Sequence, residues 1–178
     1  MTDYDHSYKL LFSHKEMVAD LLRGFVRENW VAELDFSTLE KLNASYVSDD
    51  LRERHDDLVW RVRFSGEWLY VYLLLEFQST VDPFMAVRIM GYTALLYQDL
   101  IRSDNLTRSR RLPPVLPLVL YNGDARWNAV QDISALIEEV PGGLSRYCPR
   151  LEYLLIDEGT YSDTELESLK NLTASLFR

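Results

Sequence analysis

The chain has 178 residues, of which 47% are hydrophobic and 12% aromatic, so it is long and apolar enough to bury a core. Its one cysteine, Cys148, excludes an intramolecular disulfide and a zinc site built from several cysteines. The formal net charge of −9 argues against nonspecific binding to polyanions. No apolar run approaches the roughly 18–20 residues of a membrane span, and the N-terminus lacks a signal-peptide pattern, so we predict a cytoplasmic protein without membrane contact.

The first predicted element is one amphipathic helix from Asp5 to about Arg27, because apolar residues recur there at helical spacing. Residues 36–47 are ambiguous, and one interpretation places short strands at Thr38–Leu42 and Ala44–Val47. The charged residues 48–56 that follow are expected to face solvent.

A β-hairpin is the next predicted element. Apolar and polar residues alternate over Leu58–Phe64, and the alternation resumes over Trp68–Phe77. The residues between these runs, Ser65-Gly66-Glu67, are typical of a tight turn. Each strand therefore carries one apolar set that is expected to face a core.

The apolar sets also restrict the register of this hairpin. In an antiparallel pair the numbers of opposed residues add to a constant, and packing both apolar sets on one face requires an odd constant. A sum of 133 sets Asp57 opposite Glu76, whereas a sum of 131 sets Asp57 opposite Leu74 and diagonal to Glu76. Both registers place Asp57, Glu76 and Gln78 on the same face.

The rest of the sequence predicts alternating helices and strands. The predictions are a helix from Asp82-Pro83 to about Arg102, an apolar strand at Val115–Tyr121, a short helix at Asp132–Val140, a strand at Leu151–Ile156 and helical sequence from Thr160 onward. This order indicates an α/β fold in which helices flank a mixed central sheet. We expect one domain over residues 1–178 and leave open whether a further C-terminal region belongs to it.

Two carboxylates on one face suggest a metal site. Neighbouring carboxylates repel each other and raise a pKa unless a cation lies between them. Mg²⁺ commonly binds one or two carboxylates together with water and a substrate phosphate, and it lowers the pKa of bound water. Asp57 and Glu76 are therefore the candidate ligands of Mg²⁺ or Mn²⁺, and Gln78 is placed to orient an attacking water.

Other interpretations of these residues stay open. Asp57 could be a solvated residue at the start of a strand, and Glu76 could form a structural salt bridge with Arg61, Arg63 or Lys9. Two further groups have equally open roles. One group is the arginines in and before the loop after residue 102, which either contact phosphate or are solvated: Arg102, Arg108, Arg110 and Arg111. The other group is three aromatic residues that either stack on bases or pack in the sheet: Trp60, Tyr70 and Tyr72.

Five stretches carry a resemblance to a known family. They are YDHSYKLLF, DDLVWRVR, YLLLEFQS, DPFMAVRIMGY and LPPVLPLVLYNG, in this order over residues 4–123. Asp57 followed by Glu76-Phe77-Gln78 resembles the PD-(D/E)XK nuclease signature with Gln in place of Lys. More narrowly, the chain resembles the Rpn recombination-promoting nucleases, also described as YhgA-like putative transposases.

The resemblance implies a restriction-endonuclease-like αβββαβ core and metal-dependent cleavage of DNA. It implies that Asp57 and Glu76 bind the metal and that Gln78 stands at the catalytic lysine position. Asp5 and Lys9 match the N-terminal helix motif, and Arg88 matches an arginine on the helix after the site, so these three are candidate contacts to DNA phosphate. Formation of a homo-oligomer is left open.

The function that follows is a divalent-metal-dependent DNA endonuclease of the recombination-promoting, transposase-like type. The alternative is a nuclease-fold module that binds DNA or protein with weakened catalysis. The uncharged Gln78 and the net charge of −9 motivate the alternative.

Overall fold

The computed structural model of the chain describes the backbone of residues 3–42, 57–76, 80–169 and 171–177, and their side chains except at positions 3–6, 57, 76, 169 and 172. The helices are α1 (Asp3–Leu11), α2 (Lys15–Phe25), α3 (Met85–Arg102), α4 (Asp163–Leu169) and α5 (Leu172–Leu176). The strands are β1 (Leu34–Lys41), β2 (Asp57–Phe64), β3 (Glu67–Glu76), β4 (Val115–Tyr121) and β5 (Leu154–Asp157). Short 3-10 turns lie at Asn29–Glu33, Ile133–Leu136, Leu144–Tyr147 and Glu158–Thr160.

The five strands form one mixed sheet in the order β1-β2-β3-β4-β5. The pairs β1/β2 and β2/β3 are antiparallel, whereas β3/β4 and β4/β5 are parallel. Helices precede β1 and connect β3 to β4, which confirms the predicted α/β fold with an αβββαβ core. This arrangement is compatible with a restriction-endonuclease-like fold.

Each face of the sheet packs against a separate apolar cluster. The first cluster joins α1 and α2 to the alternating residues Leu58, Trp60 and Val62 of β2 and their partners on β3. The second cluster places α3 over the other face, where Tyr70 and Tyr72 are almost fully buried. The three aromatic residues left open by the sequence therefore pack in the sheet, because Trp60 is also buried.

The predicted helix from Asp5 to Arg27 is wrong in one respect, since the structure contains two helices. The chain leaves the helical conformation after Leu11, and His14 has an extended backbone with φ −95° and ψ 133°. The hydroxyl of Ser13 donates to the carbonyl oxygen of Lys9, which satisfies an acceptor at the end of α1. Periodicity did not reveal the break, because its polar residues also fit the solvent side of one continuous helix.

Other boundaries also differ from the predictions. Helix α3 begins at Met85 rather than at Asp82-Pro83, and β5 covers Leu154–Asp157 rather than Leu151–Ile156. Strand β1 begins at Leu34 rather than near Thr38, and its pairing with β2 shifts register between Asp35 and Glu40. The proposed helix after Asp132 is one 3-10 turn, although Asp132 does cap it by accepting from the Ser134 amide at 2.8 Å. The C-terminal helical sequence is divided into α4 and α5. The proposed strand at residues 44–47 and the charged residues 48–56 lie outside the described residues.

Candidate active site

The hairpin register places the two predicted metal ligands diagonally across β2 and β3. Asp57 pairs with Leu74, and each following pair keeps the same sum through Phe64 and Glu67. This is one of the two registers that the apolar alternation allowed. Diagonal positions on neighbouring strands are roughly 7–8 Å apart, and the alternation of strands puts positions 57, 74 and 76 on one face.

That face is the one covered by α3. Leu74 and Tyr72 belong to the cluster beneath α3, and position 76 is the last residue of β3. Strands β3, β4 and β5 are parallel and end close together, at Glu76, Tyr121 and Asp157. We call this end of the sheet the carboxyl edge and the opposite end, with the Ser65-Gly66 turn and residues 103–114, the hairpin edge.

Two of the alternative salt bridges for Glu76 are too long to form. Arg61 pairs with Tyr70, which precedes Glu76 by six residues on β3. The backbones of Arg61 and Glu76 are therefore separated by about 20 Å along the strand direction. The guanidinium of Arg61 instead forms an ion pair with Glu40. Arg63 lies still farther away, where it donates to the carbonyl oxygen of Gly66 at 3.1 Å and stacks 3.9 Å from the Trp68 ring centroid.

Arg88 lies over the same face as the two acidic positions. Its Nε donates to the hydroxyl of Tyr92 at 3.3 Å, and the Tyr92 ring packs 5.8 Å from the ring of Tyr72. Helix α3 runs back from the carboxyl edge, so Arg88, one helical turn before Tyr92, lies about 6 Å closer to that edge. Its guanidinium is also 3.5 Å from a carboxylate oxygen of Asp82.

The N-terminal helix reaches the carboxyl edge from the other face. The hydroxyl of Tyr8 donates to a carboxylate oxygen of Glu158 at 3.0 Å, and Glu158 directly follows β5. Lys9 is therefore near this edge and is half-buried, on the side of the sheet opposite α3. The side chain of Asp5 and all of Gln78 lie outside the described residues, so their roles stay predictions.

Glu158 is a buried acid that the sequence did not single out. Its pKa is raised to about 8, mainly by burial; the hydrogen bond from Tyr8 opposes this rise, and the nearby charge of Asp157 adds to it. The carboxyl group is thus largely protonated near neutral pH. It links α1 to the end of β5 without adding a full negative charge to the carboxyl edge.

Tyr121 and Asp157 are further residues of this edge that the sequence reasoning missed as site residues. The register aligns Glu76 with Tyr121 and Tyr121 with Asp157, so one row crosses the ends of three parallel strands. Asp157 is only 6% exposed and accepts hydrogen bonds from Arg126 and from the amide of Trp127, each at 3.1 Å. The sequence did contain part of the signal for Asp157, because the predicted strand at Leu151–Ile156 ends one residue before this aspartate.

A glycine shapes the loop after β4. A Cβ added at Gly123 would overlap the hydroxyl end of Tyr121, whose fully buried ring packs edge-on against Trp127 at 4.9 Å. Glycine at this position therefore lets the loop fold directly over Tyr121.

Comparisons with known proteins define the class. A family model described as "Putative transposase, YhgA-like" matches residues 2–177, so the chain belongs to this family. Over 122 residues, or 68% of the chain, it is 30% identical to recombination-promoting nuclease RpnD of Escherichia coli O157:H7 and 32% identical to RpnA of Escherichia coli (strain K12). The chain covers 46% and 40% of these two relatives, which is less than half of their length. No solved structure matches the chain.

A relative with a different name also matches. The chain is 29% identical over 92 residues to the "Putative inactive recombination-promoting nuclease-like protein YjiP" of Escherichia coli (strain K12), covering 89% of that protein. The names of RpnD and RpnA support a nuclease-type family, and two other relatives have names that describe them as inactive. Across the residues that the structure describes, no helix is long and apolar enough to cross a membrane.

Proposed function

We propose that this chain is a divalent-metal-dependent DNA endonuclease that hydrolyses phosphodiester bonds at the carboxyl edge. The observation that carries the proposal is the hairpin register, which brings Asp57 diagonal to Glu76 at the end of β3. The nuclease names of RpnD and RpnA support the same reaction class.

The donor chemistry of these positions fits Mg²⁺ or Mn²⁺. Both ions prefer oxygen ligands, and two carboxylates on one face, roughly 7–8 Å apart at the backbone, can share an ion of this size. When bound, the ion activates a water molecule and stabilises negative charge on the phosphodiester. Asp57 and Glu76 would hold that ion through their carboxylate oxygens.

The remaining residues bind and orient the substrate. Gln78 holds the attacking water by hydrogen bonding, since an amide both donates and accepts. Arg88, placed on α3 over the same face, neutralises charge on the phosphate, and Lys9 approaches the edge from α1. These local cations oppose the repulsion that a net charge of −9 exerts on DNA.

Cleavage of plasmid DNA with Mg²⁺ or Mn²⁺ tests this function. We expect the wild-type chain to cleave only with metal, and Asp57→Ala and Glu76→Ala to be inactive. Asp35→Asn is a matched control, because Asp35 is an exposed strand aspartate whose partners are Ser37 and Thr38 rather than the carboxyl edge. Full activity of Asp57→Ala would contradict the mechanism.

A second function is favoured by the inactive relatives and by Gln78, which lacks the charge of a catalytic lysine. In this case the chain binds DNA or protein and cleaves poorly. Calorimetric titration with Mn²⁺ separates the two functions, because a module without an intact site gives no saturable heat. Gln78→Lys adds a second readout, since restoring the charge should accelerate cleavage if the glutamine weakens it.

A further inference from the structure

Arg126 is held in a fixed orientation at the carboxyl edge. One terminal nitrogen of its guanidinium is 3.1 Å from a carboxylate oxygen of Asp157, which is 6% exposed. The second carboxylate oxygen accepts from the backbone amide of Trp127, the next residue in the chain. The loop and the side chain are thus tied to the same buried acid, which restricts the guanidinium before any ligand binds.

A glycine provides the space for this arrangement. A Cβ added at Gly159 would overlap both terminal nitrogens of Arg126, so the guanidinium lies directly against the glycine backbone. The Arg126 side chain is nevertheless 53% exposed. A guanidinium has five N–H donors in a planar fork, so donors remain for a ligand on the exposed side.

The register relates this arginine to the proposed metal site. Asp157 lies in the same row as Glu76, two strands away, which corresponds to about 10 Å between the backbones. One strand of DNA rises about 3.4 Å per nucleotide along the helix axis, and successive phosphates also rotate about that axis, so this distance is short enough for two phosphates that lie within a few nucleotides of each other. Both residues lie on the face that α3 covers, because residues in register share a face.

We propose that Arg126 binds a backbone phosphate of duplex DNA within a few nucleotides of the phosphate that is cleaved. This role rests on the proposed nuclease function. The planar guanidinium matches phosphate geometry, and Asp157 with Gly159 sets its direction. Such a contact fixes the position of the duplex on the protein without reading its sequence.

Arg126→Gln removes the charge and tests the proposal. Fluorescence anisotropy with a labelled duplex, in the absence of divalent metal, measures affinity without cleavage. We expect affinity to fall about tenfold and the slope of log K against log salt to decrease by about one. In Mg²⁺-dependent cleavage, KM should rise by a similar factor while kcat stays within about twofold.

Arg110→Gln is the matched control. Arg110 is an exposed arginine, paired with Asp104, in the loop at the hairpin edge. Its substitution should change affinity by less than about twofold. An equal loss for Arg110→Gln, an unchanged affinity for Arg126→Gln, or a fall of kcat at constant KM would each overturn the proposal.

Gly159→Ala tests position separately from charge. This variant keeps every charged residue but displaces the guanidinium, so affinity should fall severalfold while the salt slope changes little. Wild-type affinity in Gly159→Ala would contradict a held arginine, and the variant decides the question if Arg126→Gln does not fold. A wild-type chain that binds RNA in preference to duplex DNA overturns the proposal as well. A wild-type chain that neither binds nor cuts DNA removes the proposed function first.

Discussion

Both edges of the sheet contain paired arginines, but these arginines differ in their distance from the predicted metal ligands. At the hairpin edge, Arg61 pairs with Glu40 and Arg110 pairs with Asp104, and Arg63 stacks on Trp68. These contacts join a strand, a turn and a loop to their neighbours. At the carboxyl edge, Arg88 and Arg126 are also paired, with Asp82 and Asp157, but they lie at the end of the sheet where β3 reaches the predicted metal ligand Glu76.

This difference shows that the number of arginines in a segment does not locate a phosphate site. The loop after Arg102 contains the densest arginine run of the sequence, but it leads into β4 at Val115, which pairs with Tyr70 about 20 Å along the sheet from Glu76. Arg126 stands alone in the sequence and becomes significant only through its place beside Asp157. Topology, rather than local charge density, decides which cations accompany the acids.

The largest expected effect is the loss of cleavage at the carboxyl edge. Asp57→Ala should lower the cleavage rate at least about a thousandfold, because bound metal contributes several kcal/mol to stabilising the reacting phosphate. Arg63→Ala at the hairpin edge should stay within about twofold. Plasmid nicking assays measure both, and thermal melts check that each variant folds. Equal losses of cleavage rate in Asp57→Ala and Arg63→Ala would contradict the assignment of cleavage to the carboxyl edge.

The pH dependence of stability is the next effect in size. An unfolded glutamate loses its proton near pH 4.5, whereas Glu158 in the folded protein keeps it to about pH 8. The folded state therefore binds more protons between these values, and unfolding free energy falls with rising pH by a few kcal/mol. Glu158→Gln should remove this fall in urea unfolding at pH 5 and pH 8.5.

Glu165→Gln is the control for this titration. Hydrogen bonds from the Ser162 amide and hydroxyl lower the pKa of Glu165, so its contribution is lost as pH falls rather than as it rises. The variant should keep the wild-type difference between pH 5 and pH 8.5. A wild-type chain whose stability does not fall over this interval would refute the buried protonated state.

Two glycine substitutions compare the edges by packing. Gly123→Ala should destabilise the fold by about 1–3 kcal/mol, because the new Cβ overlaps Tyr121, whose buried ring cannot move away. Gly66→Ala in the hairpin turn meets open space but keeps φ at +82°, which costs about 1 kcal/mol. Chemical denaturation should therefore rank Gly123→Ala as the more damaging change, and the reverse order would contradict the close packing over Tyr121.

The smallest effect is expected for the surface ion pair at the hairpin edge. Glu40→Gln removes the partner of Arg61, but both side chains are partly exposed and water screens the interaction. We expect a loss below about 1 kcal/mol and no change in DNA cleavage. A loss of several kcal/mol in the same denaturation experiment would show that this pair organises the sheet.

Much of the site's backbone could be predicted from local pattern. The alternation over Leu58–Phe64 and the apolar stripe of α3 depend on neighbours a few residues apart, and both are confirmed. The boundaries of β1 and the break between α1 and α2 were missed, because polar residues fit a solvent-facing helix or strand equally well. Family resemblance added the roles of Gln78, Lys9 and Arg88, which stay predictions.

The sequence by itself determined that Asp57 and Glu76 share one face of the hairpin, because any one-residue slip would turn the apolar sets away from their core. Of the two registers that the alternation allowed, the structure has the one in which Asp57 is diagonal to Glu76. Only the tertiary structure decided that Tyr121 and Asp157 complete the same row and that Arg126 lies against Gly159. Parallel strands that are tens of residues apart carry no local signal of which residues align. Their alignment follows from the packing of both faces of one sheet at the same time. That packing brings Arg126 to the carboxyl edge, where Asp57 and Glu76 also lie.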